Sequence, residues 1–137
     1  MLVAALLSIH VVSLLAWIGS ILSVAYVLQA GAGVAQLRGE TALKLYKAVA
    51  VPGFVIAFLA GVAMLALNPA YYFKGTAFMH AKLTLALAVI GIHHVLGARA
   101  KKMAAAKVDT AGPAGTLGLV LFAASAGAAI LVLTKPF

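Results

Sequence analysis

The sequence predicts an all-α integral membrane protein, a single bundle of four transmembrane helices spanning residues 1–137 with no soluble domain. Two features of composition and one of pattern predict it. Hydrophobic residues make up 66% of the chain and charged ones only 9%, against roughly 25% charged residues in soluble domains. The apolar residues also gather into four runs long enough to cross a hydrocarbon core of about 30 Å, which takes roughly 20 residues at 1.5 Å each.

The first run, Leu2–Leu28, lacks a basic leader and is too long for the apolar part of a cleaved signal, so it reads as a retained helix. The second is Leu45–Leu67, the third Thr76–Gly97 and the fourth Gly115–Thr134. The longest connection, Ala98–Ala114, is expected to be an irregular or partly helical loop closed by Gly112-Pro113. It runs to about 17 residues, too few for a second core. Internal repeats are not evident. Gly118, Ala123, Ala124, Gly127 and Ala128 give the last helix small faces suited to close packing, within the bundle or between copies in a homo-oligomer.

The net charge of +8 does not indicate nucleic acid, because the basic residues sit at the ends of apolar spans. Arg38, Lys44, Lys47, Arg99, Lys101, Lys102 and Lys107 flank the first and third connections, whereas the other side carries Lys74 and Lys135. By the positive-inside rule the first and third loops are expected in the cytoplasm and both termini outside, in a bacterial cytoplasmic membrane. Cysteine is absent, which excludes disulfides, thiolate metal sites, iron–sulfur clusters and covalent haem attachment.

Polar side chains within a bilayer are costly, so each one inside a span is a functional candidate. Both acids, Glu40 and Asp109, lie in connections, which disfavours carboxylate-coupled ion transport. On the first helix His10, Ser13, Trp17 and Ser20 share one stripe of roughly 80°. On the third, His80, Thr84, Leu87, Gly91 and His94 form one line, and Lys82 with His93 forms another.

His10 and His80 are expected at similar depth, the arrangement that holds a six-coordinate haem b between helices. The plain alternative is that each bonds a backbone carbonyl or lines a water pocket. Gly91 leaves room for a flat macrocycle or for helix packing. Of the adjacent His93 and His94, one is expected at the membrane interface, since neighbours on a helix point about 100° apart. Lys82 either snorkels or meets a porphyrin propionate. Met64 and Met79 are deep enough to ligate copper, but no His–Met cluster accompanies them.

Three separated segments carry a family resemblance. They are Ser8-Ile9-His10 through Ala16-Trp17, then Ala77-Phe78-Met79-His80-Ala81-Lys82-Leu83 followed by Gly91-Ile92-His93-His94, and the terminal Lys135-Pro136-Phe137. Together with Leu45-Tyr46-Lys47 they resemble HemJ-type bacterial protoporphyrinogen IX oxidases, four-helix membrane proteins related to CopD-type copper-resistance domains. The resemblance implies a non-covalent haem b with axial ligands carried onto His10 and His80. It places Trp17 near the macrocycle and gives the family's Lys role, propionate binding or proton transfer, to Lys82. It also implies a porphyrin substrate and a quinone or other membrane electron carrier as partner. Where the family has a Leu-Pro-Arg-type stretch after the first-helix Trp, this chain has Val24-Ala25-Tyr26-Val27-Leu28-Gln29. That departure keeps two function classes open: an oxidase, and a non-enzymatic b-type cytochrome for electron transfer or haem sensing. A copper-transporting module stands third.

Overall fold

In lipid every backbone N–H and C=O must find its partner inside the protein, and a helix meets that demand within one segment. The computed structural model describes residues 1–31, 33–74 and 77–136. Its helices are α1, Leu2–Gln29; α2, Ala35–Leu67; the short α3, Pro69–Lys74; α4, Phe78–Ala104; and α5, Ala114–Thr134. Four of these, α1, α2, α4 and α5, are long and apolar enough to cross a membrane. The expected all-α membrane bundle is what the chain builds.

The bounds of α1 and α5 fall within a residue of those expected. Two others are corrected: α2 begins ten residues before Leu45, and α4 runs seven residues past Gly97. The polarity of Arg38, Glu40, Lys44, Lys101 and Lys102 ended the apolar runs, but polar residues continue a helix readily once it leaves the hydrocarbon. Thr76, the expected start of the third span, and Phe137 of the terminal motif lie outside the described residues.

The long α2 is not uniform. Pro52 has no N–H for the carbonyl of Ala48, and its ring crowds that carbonyl, so an undisturbed α-helix is not available there. The preceding turn, Tyr46–Ala50, widens into a π-helix, with the N–H of Val51 reaching back to the carbonyl of Tyr46. Before this turn α2 packs on both α1 and α4; beyond it, α2 packs along α1 and parts from α4. The α4 helix meanwhile packs along α5, and α5 along α1.

The bundle is therefore closed at the end carrying the first and third connections, here the basic end. It is open between α2 and α4 toward the other, the terminal end.

Small residues make the closure. A Cβ at Gly39 would overlap the backbone of Met103 and Ala104, and one at Gly97 would overlap the ring of Tyr46. Such close approach is the main source of helix association in lipid, where apolar burial drives little. Gly118 packs against Ala25 and Gly127 against Leu85. These two glycines of α5 are thus used inside the bundle.

The connection between α4 and α5 is tied down by Arg99, which donates from Nε to the carbonyl of Thr110 at 2.9 Å and from Nη2 to its hydroxyl at 2.7 Å. The same guanidinium lies against Gly112, whose φ of +57° is one that glycine adopts without steric cost.

Gly97→Ala is expected to force Tyr46 away from α4 and cost about 1–3 kcal/mol, the usual range for overpacking. Thermal unfolding in detergent micelles checks this, and Tyr46→Ala in the same background should restore part of the loss.

Candidate functional site

Where the closed part of the bundle ends, α1 and α4 are joined by a hydrogen bond between side chains. The indole of Trp17 donates from Nε1 to Nδ1 of His93 at 3.1 Å. Both residues are buried, His93 completely. The rings of Tyr46, which opens the π turn in α2, and Phe54, beyond it, lie 4.8 and 5.1 Å from the imidazole and are tilted 31° and 37° to it. His94 contributes an edge-on ring at 5.0 Å from His93 and another contact with Phe54 at 5.8 Å.

Accepting at Nδ1 fixes the neutral tautomer of His93, so its proton is on Nε2. That nitrogen is buried and has no hydrogen-bond partner. An orphaned buried donor costs about 1–3 kcal/mol.

His10 lies two turns along α1 from Trp17 toward the terminal end. Its Nδ1 is 2.7 Å from the carbonyl of Ala57, so Nδ1 carries the proton and Nε2 keeps its lone pair. Gly61 makes room for the ring, since a Cβ there would stand 3.0 Å from Cε1 of His10. A carbonyl holding Nδ1–H is the usual support of a metal-binding histidine, because it fixes the ring and leaves Nε2 to the metal. Lys82 is half-buried on α4 and within electrostatic reach of His10.

The two polar lines of α4 separate cleanly. Lys82, Val89 and His93 turn inward, with Leu96, Ala100 and Met103 continuing the buried face. His80, Thr84, Leu87, Gly91 and His94 are all exposed. The exposed line borders the opening between α2 and α4: His94 touches Phe54 of α2, and the His80 ring lies 6.1 Å from Phe73 of α3. Together the line, the outer half of α2, and the His10 and Trp17 side of α1 form a lateral groove.

The expectation of matched depth for His10 and His80 is corrected. His10 is beside Gly61, six residues before the end of α2 and so about 9 Å short of it, whereas His80 is beside Phe73, beyond that end. The structure brings Lys82, rather than His80, toward His10. Trp17 is bonded to His93 and lies deeper than the expected macrocycle position. Gly91 faces open space, with nothing within 4 Å of a Cβ built on it, so it does line a free surface.

Of the His93–His94 pair, His94 is the exposed member. The role of His93 was missed in the sequence. Its signal was the spacing of Val89, His93, Leu96, Ala100 and Met103, one continuous inward face. Several hydroxyls are satisfied locally: Ser20 donates to the carbonyl of Trp17 at 2.9 Å and Thr84 to that of His80 at 3.0 Å. Among the described residues no group of three His, Asp or Glu side chains could hold a metal ion.

No family model, curated protein or solved structure matches this chain.

Trp17→Phe keeps the aromatic packing but removes the N–H, and is expected to destabilise the bundle by about 1–3 kcal/mol by leaving Nδ1 of His93 unpaired. A double-mutant cycle with His93→Phe, read by chemical unfolding, should return a coupling of about 1 kcal/mol. Additive losses would mean the bond contributes nothing.

Proposed function

We propose that this protein is a haem b redox protein of the bacterial cytoplasmic membrane, with the tetrapyrrole lodged in the groove between α2 and α4. The observation that carries the reading is the state of His10, with Nδ1 held by Ala57 and a free Nε2 beside an opening onto the bilayer. His10 would hold the haem iron through its free Nε2, and His80, across the opening and nearer the terminal end, would be the residue available as a second ligand. Lys82, within electrostatic reach of His10, would answer a propionate or carry a proton. Bound haem would supply one-electron transfer.

The resemblance to HemJ-type proteins favours dehydrogenation of protoporphyrinogen IX, with electrons passed to a quinone or another membrane carrier. The groove supports this reading in being lateral, since a hydrophobic tetrapyrrole can reach it from the lipid. A non-enzymatic cytochrome is the second reading. It is favoured by Val24-Ala25-Tyr26, where the family has an Arg: Val24 and Ala25 are buried, so this stretch offers no cation to a polycarboxylate substrate. Orientation follows the charge bias, with the basic end in the cytoplasm. A periplasmic reporter fused after Lys101 should therefore be inactive, and an active one would reverse the topology.

Purified protein is expected to show the sharp reduced-minus-oxidised α band of a low-spin b haem. His10→Ala should abolish haem binding, and His80→Ala should convert the spectrum to high spin. A high-spin spectrum in the unmodified protein would restrict ligation to His10; full haem retention by the double variant would reject both. Complementation of a bacterium lacking its own protoporphyrinogen oxidase then separates the two readings. Growth that is lost with Lys82→Ala supports the oxidase, and no growth despite haem-loaded expression supports the cytochrome.

A further inference from the structure

The groove ends, toward the basic end, at His93. Imidazole geometry puts Nε2 on the ring edge away from the Nδ1 held by Trp17, hence away from α1. The Tyr46 and Phe54 rings lie tilted beside the imidazole, and His94 with Phe54 stands between it and the open groove. An N–H without an acceptor is thus enclosed by aromatic rings, with the exposed His94 between it and the lipid. We propose that this is a binding site for a quinone, whose carbonyl oxygen accepts the hydrogen bond from Nε2 of His93 while its ring lies among Phe54, Tyr46 and His94.

Three properties select that ligand class. The donor is a neutral N–H, which matches a carbonyl better than an anion. The walls are flat aromatic rings, which suit a planar conjugated head. The rim is His94, exposed and edge-on to both His93 and Phe54, so a ligand that partitions into the bilayer reaches the donor by displacing it. Phe54 and His94 act as a plug that swings aside on binding, and the N–H that costs free energy in the closed state then becomes satisfied.

The assignment rests on the redox reading for its purpose but not for its geometry. His10 and Trp17 are seven residues apart on one face of α1, which separates the haem ligand from the quinone site by about 10 Å. Electrons can cross such a gap without a further cofactor.

The test uses the full chain in lipid nanodiscs and a labelled benzoquinone with one isoprenoid unit, compared with empty nanodiscs. Binding should be saturable and should quench Trp17, the single tryptophan of the chain. The hydroquinone dimethyl ether of the same size, which has no carbonyl, should not compete. His93→Leu is expected to weaken binding at least about tenfold, the loss of one buried hydrogen bond, whereas His93→Gln, which keeps an N–H, should stay within about threefold. His10→Ala should leave quinone binding intact. Absence of haem from the unmodified protein with quinone binding retained would fail the functional reading and not this site. Binding no greater than to empty nanodiscs would mean that ordered water satisfies Nε2, and would overturn the proposal. Equal binding by His93→Leu would do the same.

Discussion

The bond from Trp17 to His93 ties together α1 and α4, which otherwise share only a light contact. In a lipid environment such a bond has no water to compete with it, and transmembrane hydrogen bonds of this kind contribute about 1 kcal/mol each. Its structural effect is larger than that figure suggests. It sets the rotation of α4 so that Lys82, Val89 and His93 face inward and the line from His80 to His94 faces out. With α4 turned in this way, its inner surface meets α2 through Gly39 and Gly97 on one side of the bond and loses it on the other.

The consequence is a division of labour along the membrane normal. Toward the basic end α2 and α4 are held together by glycine contacts, and Arg99 ties down the following loop. Toward the terminal end α2 and α4 part, and the polar groups there are either half-buried or exposed: His10, Lys82, His80. A redox site built this way needs no tunnel. Its ligands arrive sideways from the lipid, which fits the proposed tetrapyrrole and quinone, both of which dissolve there.

Much of this was legible in the sequence. The four spans were read from composition and length alone, because the hydrocarbon thickness fixes how long an apolar run must be. The stripe of His10, Ser13, Trp17 and Ser20 was read from helical periodicity, and Ser13, Trp17 and Ser20 are indeed buried on one face. The two polar lines of α4 were also distinguished, but which of them faced inward was not. Periodicity gives the angle between residues on one helix and says nothing of how that helix is rotated against its neighbours. His80 drew attention through its neighbourhood with Lys82, while the buried partner of Trp17 proved to be His93, seventy-six positions away along the chain. The extension of α2 back to Ala35 was missed for a different reason: hydropathy marks where a helix enters the membrane, not where it begins.

The π turn at Tyr46–Ala50 holds one more residue than an α-helical turn would. Each residue advances an α-helix by about 100°, so the two halves of α2 are offset by roughly that angle from a regular helix. The outer half consequently turns its small face, Gly53, Ala57 and Ala60, to α1 and away from α4. The lateral mouth of this protein is therefore a matter of phase: a single supernumerary residue ahead of Pro52 is what keeps the two walls from meeting. A deletion of one residue in this turn would rotate Gly53, Ala57 and Ala60 off α1, while substitutions that leave the count unchanged would not.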